Sequence, residues 1–121
     1  MAFTLTTPAS GRPPESADQL AAKVAVAAEQ ATGVHHEQIM GPRRHDRTAF
    51  VRQLCMWLLR RNSYGLQEIA LAFKRRDHGT VMHACQKVDH LLKLEQREAH
   101  QPVRALLIGI AERAQLSTPG L

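Results

Sequence analysis

Leu66 to Val88 reads LQEIALAFKRRDHGTVMHACQKV, and the fold turns on how this stretch is read. Its first half spaces Leu66, Ile69, Ala70 and Phe73 at i, i+3, i+4 and i+7, one apolar face of a short helix that has to be buried. Its second half repeats the period with Val81, Ala84, Cys85, Val88, Leu91 and Leu92, and sets Gly79, His83, Gln86, His90 and Lys93 on the polar side. Asp77 suits an N-cap, since its carboxylate can accept the free amide hydrogens of a first turn, so a new helix is expected from His78. Between the halves lies Lys74-Arg75-Arg76, a cationic turn without glycine. Two readings fit: a helix-turn-helix, or a plain corner between packed helices with its cations in solvent. In a helix-turn-helix, the first residues of the second helix, here His78, Gly79 and Thr80, face base edges while nearby cations hold phosphates.

Moving toward the N-terminus, Asn62-Ser63-Tyr64-Gly65 is turn chemistry. Before it, Thr48 to Arg61 is strongly helical, with a stripe of Val51, Leu54, Cys55 and Leu58 widened by Phe50, Met56, Trp57 and Leu59. A helix apolar on most sides is the central one of its domain. Arg60 and Arg61 near its end suit the helix dipole. Arg52 and Gln53 sit near its start, where the dipole does not favour a cation, and a phosphate partner is expected there. Gly41-Pro42-Arg43-Arg44-His45-Asp46-Arg47 is a basic loop, which taken alone reads as an ordinary solvated connection. Val34 to Met40 makes one helical turn, with Val34 and Ile39 inward and His35, His36 and Glu37 outward.

Ser16-Ala17-Asp18-Gln19 has the form of a capping box. The helix it opens is expected to run to about Thr32, with Leu20, Val24, Ala27 and Ala31 on one face and Gly33 as its stop. Residues 1–15 carry three prolines and are expected to form a disordered tail. Beyond Leu94 the charges of Glu95, Arg97 and Glu98 alternate, extending the helix into solvent or ending it. Pro102 then opens a final helix whose apolar face is Val103, Leu106, Leu107 and Ile110. Residues 117–121 are expected to fray. The organisation is therefore a tail over 1–15, one all-α domain over 16–116 and a frayed end over 117–121.

The formal charge of +5 is unevenly spread. Residues 34–62 hold six arginines against Glu37 and Asp46, and residues 63–94 hold five cations against Glu68, Asp77 and Asp89. Such concentration is the footprint of a polyanion binder. A membrane surface suits it less, because no segment joins a cationic face to large exposed apolar residues. Nothing at the N-terminus resembles a secretory signal and no run is long enough to span a bilayer, so a cytoplasmic, nucleoid-associated location is expected. Cys55 and Cys85 fall on apolar faces and are expected reduced and buried. His78, His83 and Cys85 form the densest group of metal-ligating types, but His83 and Cys85 two apart on a helix face different ways. No metal, cofactor or catalytic grouping is expected.

With these residues in view, the chain resembles the C-terminal DNA-binding domain of the bacterial replication initiator DnaA. Arg76-Asp77-His78-Gly79-Thr80-Val81-Met82-His83-Ala84-Cys85-Gln86-Lys87-Val88 resembles the family signature R-D-H-[ST]-T-V-[LM]-H-A-x-[RK]-K-[IV]. Arg43-Arg44, Arg52-Gln53 and Glu68-Ile69 with Phe73 support it, and the resemblance covers about residues 20–115. It implies a compact, Trp-repressor-like helical domain that binds double-stranded DNA at DnaA-box-like sites, the second helix in the major groove and the basic loop in the minor groove. By resemblance the contacts fall to Arg44, Arg52, Gln53, Asp77, His78 and Thr80. Arg43, Lys74, Arg75, Arg76, Gly79 and His83 complete the expected face.

Two departures matter. The family usually has a second hydroxyl residue where this chain has Gly79, which implies a shifted or relaxed preference. Lys74-Arg75 stands where glycines are common, which implies stronger phosphate binding. No G-x-x-x-x-G-K-[ST] loop occurs in these residues, so no nucleotide use is expected. The chain reads as a free-standing relative of the domain, competing with the full-length initiator. The other readings are a fragment of a longer initiator, or a protein-interaction module that keeps the fold.

Overall fold

A computed structural model describes residues 12–42 and 45–121. It contains six helices and, among the described residues, no strand: α1 (Ala17–Thr32), α2 (His36–Met40), α3 (Asp46–Arg61), α4 (Leu66–Ala72), α5 (His78–Glu95) and α6 (Pro102–Ala114). No described helix is long and apolar enough to cross a membrane.

α3 is the axis of the core. Leu54, Cys55, Met56, Trp57, Leu58 and Leu59 are all buried in sequence, which no amphipathic helix could manage unless neighbours covered it on all sides. Those neighbours are α1, α2, α4, α5 and α6. α1 begins as expected, with Ser16 Oγ accepting from the Gln19 amide and Gln19 Oε1 accepting in return from the Ser16 amide. It ends at Gly33, whose φ of 81° is the left-handed stop glycine favours. Its buried face is wider than the expected stripe: Ala21, Ala25 and Ala28 are sealed beside Leu20, Val24 and Ala27, because α1 lies against α2, α3, α4 and α6 together. Small side chains let these backbones approach closely.

Three other helices end in a left-handed residue that is not glycine. Ser63 (φ 73°), Lys74 (φ 59°) and Gln115 (φ 58°) each take the left-handed position after α3, α4 and α6. In each case the next residue bonds back to the last turn: Tyr64 to the Leu59 carbonyl, Arg75 to Ala70 and Leu116 to Ala111. This is the hydrogen-bond pattern of a Schellman stop, held by the orphan carbonyls it satisfies.

Polar side chains lock the helices in register. Buried Trp57 on α3 donates its indole N–H to Asp89 Oδ1 of α5 at 2.7 Å, which meets the need of a buried indole for a partner. Glu95, the last residue of α5, accepts from the Val103 and Arg104 amides and so caps the first turn of α6. That carboxylate was expected only as a solvent charge. Cys55 is buried but Cys85 is only half-buried, a correction to the expectation for the second thiol, which packs at the edge of the core. Burial pushes the Cys55 thiol up to about 12 and the Cys85 thiol up to about 11, so both stay protonated.

The described segments before α1 and after α6 are partly fastened. Residues 1–11 of the expected tail lie outside the described residues, whereas the Arg12 guanidinium sits 4.1 Å from the centroid of the Tyr64 ring and pairs with Glu68 at 2.9 Å. The Tyr64 hydroxyl donates to the Glu15 carbonyl. At the other end, residues expected to fray are tied to buried Asn62, which accepts from Ser117 Oγ and donates to the Ser117 carbonyl.

Candidate nucleic-acid interface

α4 and α5 meet across residues 73–77, as the hydrophobic periods require. Ile69, Ala70, Ala72 and Phe73 of the first helix and Val81, Ala84 and Val88 of the second are buried, which fixes the two helices to α3 and leaves the start of α5 outside. Glu68 Oε1 accepts the Gly65 amide at 2.7 Å and secures the entry to α4. Asp77 is the N-cap of α5, its Oδ1 accepting from the Gly79 amide at 2.8 Å. His78 and Thr80 are exposed in the first turn, and His83, one turn on, is exposed as well.

Gly79 is half-buried beneath the cap. A Cβ at this position would lie 3.2 Å from both Asp77 carboxylate oxygens, so a larger residue requires the cap to give way by a few tenths of an ångström. The Asp77 side chain is 77% exposed and free to do so.

The start of α5, the start of α3 and the beginning of the basic loop come together on one face. Pro42, Ala49, Gln53, Met56 and Thr80 line an open groove of about 400 Å³. Gln53 Oε1 is buried there and has no hydrogen-bond partner among the described residues. A buried amide oxygen without a partner is costly, and a ligand donor would satisfy it.

The cations of this face divide into two kinds. Arg76 and Lys74 are exposed. Arg52 and Arg75 also border the groove but turn inward. Arg52 is 6% exposed; its Nε donates to the Ile39 carbonyl at 2.7 Å and its Nη2 to the carbonyls of Gln38 and Gly41 at 3.0 and 3.1 Å. These are the carbonyls at the end of α2, which a cation is suited to cap. Burial, and then the nearby Arg75 charge, lower the Arg52 guanidinium to about 10, which leaves it charged at neutral pH. Arg75 donates through Nη2 to the same Gly41 carbonyl at 3.0 Å. The helix-turn-helix turn and the central helix thus both grip the residue from which the basic loop departs. Arg43 and Arg44, expected in that loop, lie outside the described residues.

Lys87, named in the sequence only as part of the signature, was not among the expected contacts. It stands at i+7 from Thr80, on the stripe shared with His83 and Ala84, and its Nζ lies 5.9 Å from the Phe50 ring centroid near the start of α3. The spacing was the available signal. His78, His83 and Cys85 do not converge; the one group of metal-ligating residues found among the described residues lies elsewhere, at Glu29, His35 and His36.

Comparison with known proteins agrees with this geometry. The family model of the bacterial dnaA protein helix-turn-helix matches residues 22–88. The chain is similar to the chromosomal replication initiator protein DnaA of Aquifex aeolicus (strain VF5), with 38% identity over 78 residues, covering 64% of this chain and 18% of the relative. It is 37% identical over 71 residues to that of Picosynechococcus sp., covering 58% and 16%, and 46% identical over 56 residues to that of Acinetobacter baylyi, covering 46% and 12%. The chain spans less than a fifth of the length of these relatives. With the helix-turn-helix, its cap and its signature residues all inside the matched segment, the chain belongs to the bacterial DnaA helix-turn-helix family, a family of DNA-binding domains.

Proposed function

We propose that the chain binds duplex DNA sequence-specifically at DnaA-box-like sites, with the start of α5 in the major groove and the loop of residues 41–47 at the adjacent minor groove. The observation that carries this reading is the convergence of Pro42, Gln53 and Thr80 on one groove beneath an exposed, cation-flanked helix start. His78, Thr80 and His83 supply groups for base edges. Lys74, Arg76 and Lys87 neutralise backbone charge. Arg44, matched to the family by sequence, is assigned to the minor groove, where arginine is well suited. Arg52 and Arg75 act mainly by holding the base of that loop.

The domain is read as a binding module that carries out no reaction. Occupying the same box, the domain would compete with a full-length initiator for that site. Fluorescence anisotropy with a box duplex and a scrambled duplex across a salt series tests the binding. Tighter binding to the box, with a steep salt dependence, is expected. Equal, salt-insensitive signals would favour a protein partner for this face. In a footprint of an origin fragment, added protein should displace initiator; an undisturbed footprint at saturation would exclude competition.

A further inference from the structure

The corner between α1 and α2 gathers three metal-ligating side chains that the DNA-facing surface does not use. Gly33 turns the chain back at the end of α1, and His35 and His36 return over Glu29 of the last turn. Glu29 Oε1 accepts from the His36 backbone amide at 3.0 Å and meets His36 Nδ1 at 2.7 Å. The His35 and His36 rings stack with centroids 4.6 Å apart. One donor atom can be taken from each of the three so that all lie within 4.8 Å of one another. All remain accessible, with side chains 36% exposed for Glu29, 50% for His35 and 42% for His36.

We propose that Glu29, His35 and His36 form a binding site for a divalent transition-metal ion of the zinc class. The donor set is two imidazoles and a carboxylate, the mixed nitrogen and oxygen set that zinc accepts with a water in the fourth position. Around an ion about 2.0–2.2 Å from each donor the ligand atoms sit roughly 3.4 Å apart. The widest separation therefore has to close by up to about 1.4 Å and the 2.7 Å contact of Glu29 with His36 has to open, both within reach of half-exposed side chains on a short turn. Two of the ligands open α2, whose other end presents the carbonyls that hold Arg52. The ion would fasten that short helix to α1.

Calorimetric titration of the 121-residue chain with Zn²⁺ tests the site, with thermal melting as a second readout. One ion should bind per chain, and at a hundredfold excess over the dissociation constant the melting temperature should rise by about 10 °C. Glu29→Gln should weaken binding about 10- to 100-fold, and His35→Ala or His36→Ala should do so at least as strongly. A variant with His78→Ala, His83→Ala and Cys85→Ser should bind as the wild type does, since those groups lie outside the cluster. Circular dichroism without metal checks that each variant is folded; should His36→Ala fail, His36→Gln and Glu29→Gln carry the test. No zinc binding, or binding unchanged in Glu29→Gln and His35→Ala, would overturn the proposal.

Discussion

On one side of α3, α1 and α6 close over the core with Ala25, Ala28, Leu107, Ile110 and Ala111, all buried and none polar. On the other side, α2 and the α4–α5 turn are held by arginines, Arg52 gripping the carbonyls of residues 38, 39 and 41 and Arg75 gripping 41 again. The first side is regular helix and can be sealed by apolar contact alone. The second has a one-turn helix and an irregular loop, whose backbone groups find no partner in a helix and need side-chain donors. The half proposed to face DNA thus adds directional bonds to its packing, where the supporting half is sealed by packing.

The sharpest break of this contrast is in the supporting half. Leu107→Ala should cost about 2–5 kcal/mol in urea unfolding, with unchanged preference between box and scrambled DNA in the folded protein. A preference lost in step with stability would mean the two halves are not separable. Arg52→Ala comes next, at about 2–3 kcal/mol, since charged hydrogen bonds to buried carbonyls are removed together. Arg52→Lys should not restore it, because a single ammonium cannot reproduce the guanidinium fork. If instead stability held and the salt slope of binding fell by about one, Arg52 would be meeting a phosphate.

Arg75→Ala and Arg76→Ala sharpen the division within the turn. The first should cost about 1 kcal/mol of stability and loosen the loop, whereas the second should leave stability alone and lower the salt slope by about one. Identical effects from both would remove the distinction between inward and outward cations. Smallest is Lys74→Gly, expected to stabilise by about 0.5–1 kcal/mol because a side chain in the left-handed position is strained. A loss of stability would show that Lys74 makes a contact that outweighs its strain.

Much of this was legible in the residues. The six helices follow from apolar spacing, Ser16, Asp77 and Pro102 mark three starts, and Gly33 marks one stop. The stops at Ser63, Lys74 and Gln115 carry no glycine, so their left-handed backbone could be known only once the following residue was seen to bond back into the helix. Arg52 and Arg75 were legible as cations near a loop but not as cations turned inward. Their direction depends on carbonyls of residues 38–41, which are distant in sequence and exposed by the ending of α2. The cap role of Glu95 and the partner role of Asp89 were hidden for the same reason: a charged residue in a polar stretch reads as solvated until its neighbour in space is known.

The central claim is that the exposed first turn of α5 reads base sequence. It is tested most directly by the ratio of dissociation constants for scrambled and box duplexes, measured by anisotropy at one salt concentration for the wild type and for Thr80→Ala. The wild type should prefer the box, and Thr80→Ala, exposed and therefore without effect on folding, should reduce that preference by about 1–3 kcal/mol. A wild type that binds both duplexes equally, or a Thr80→Ala protein that keeps its full preference, would contradict the account.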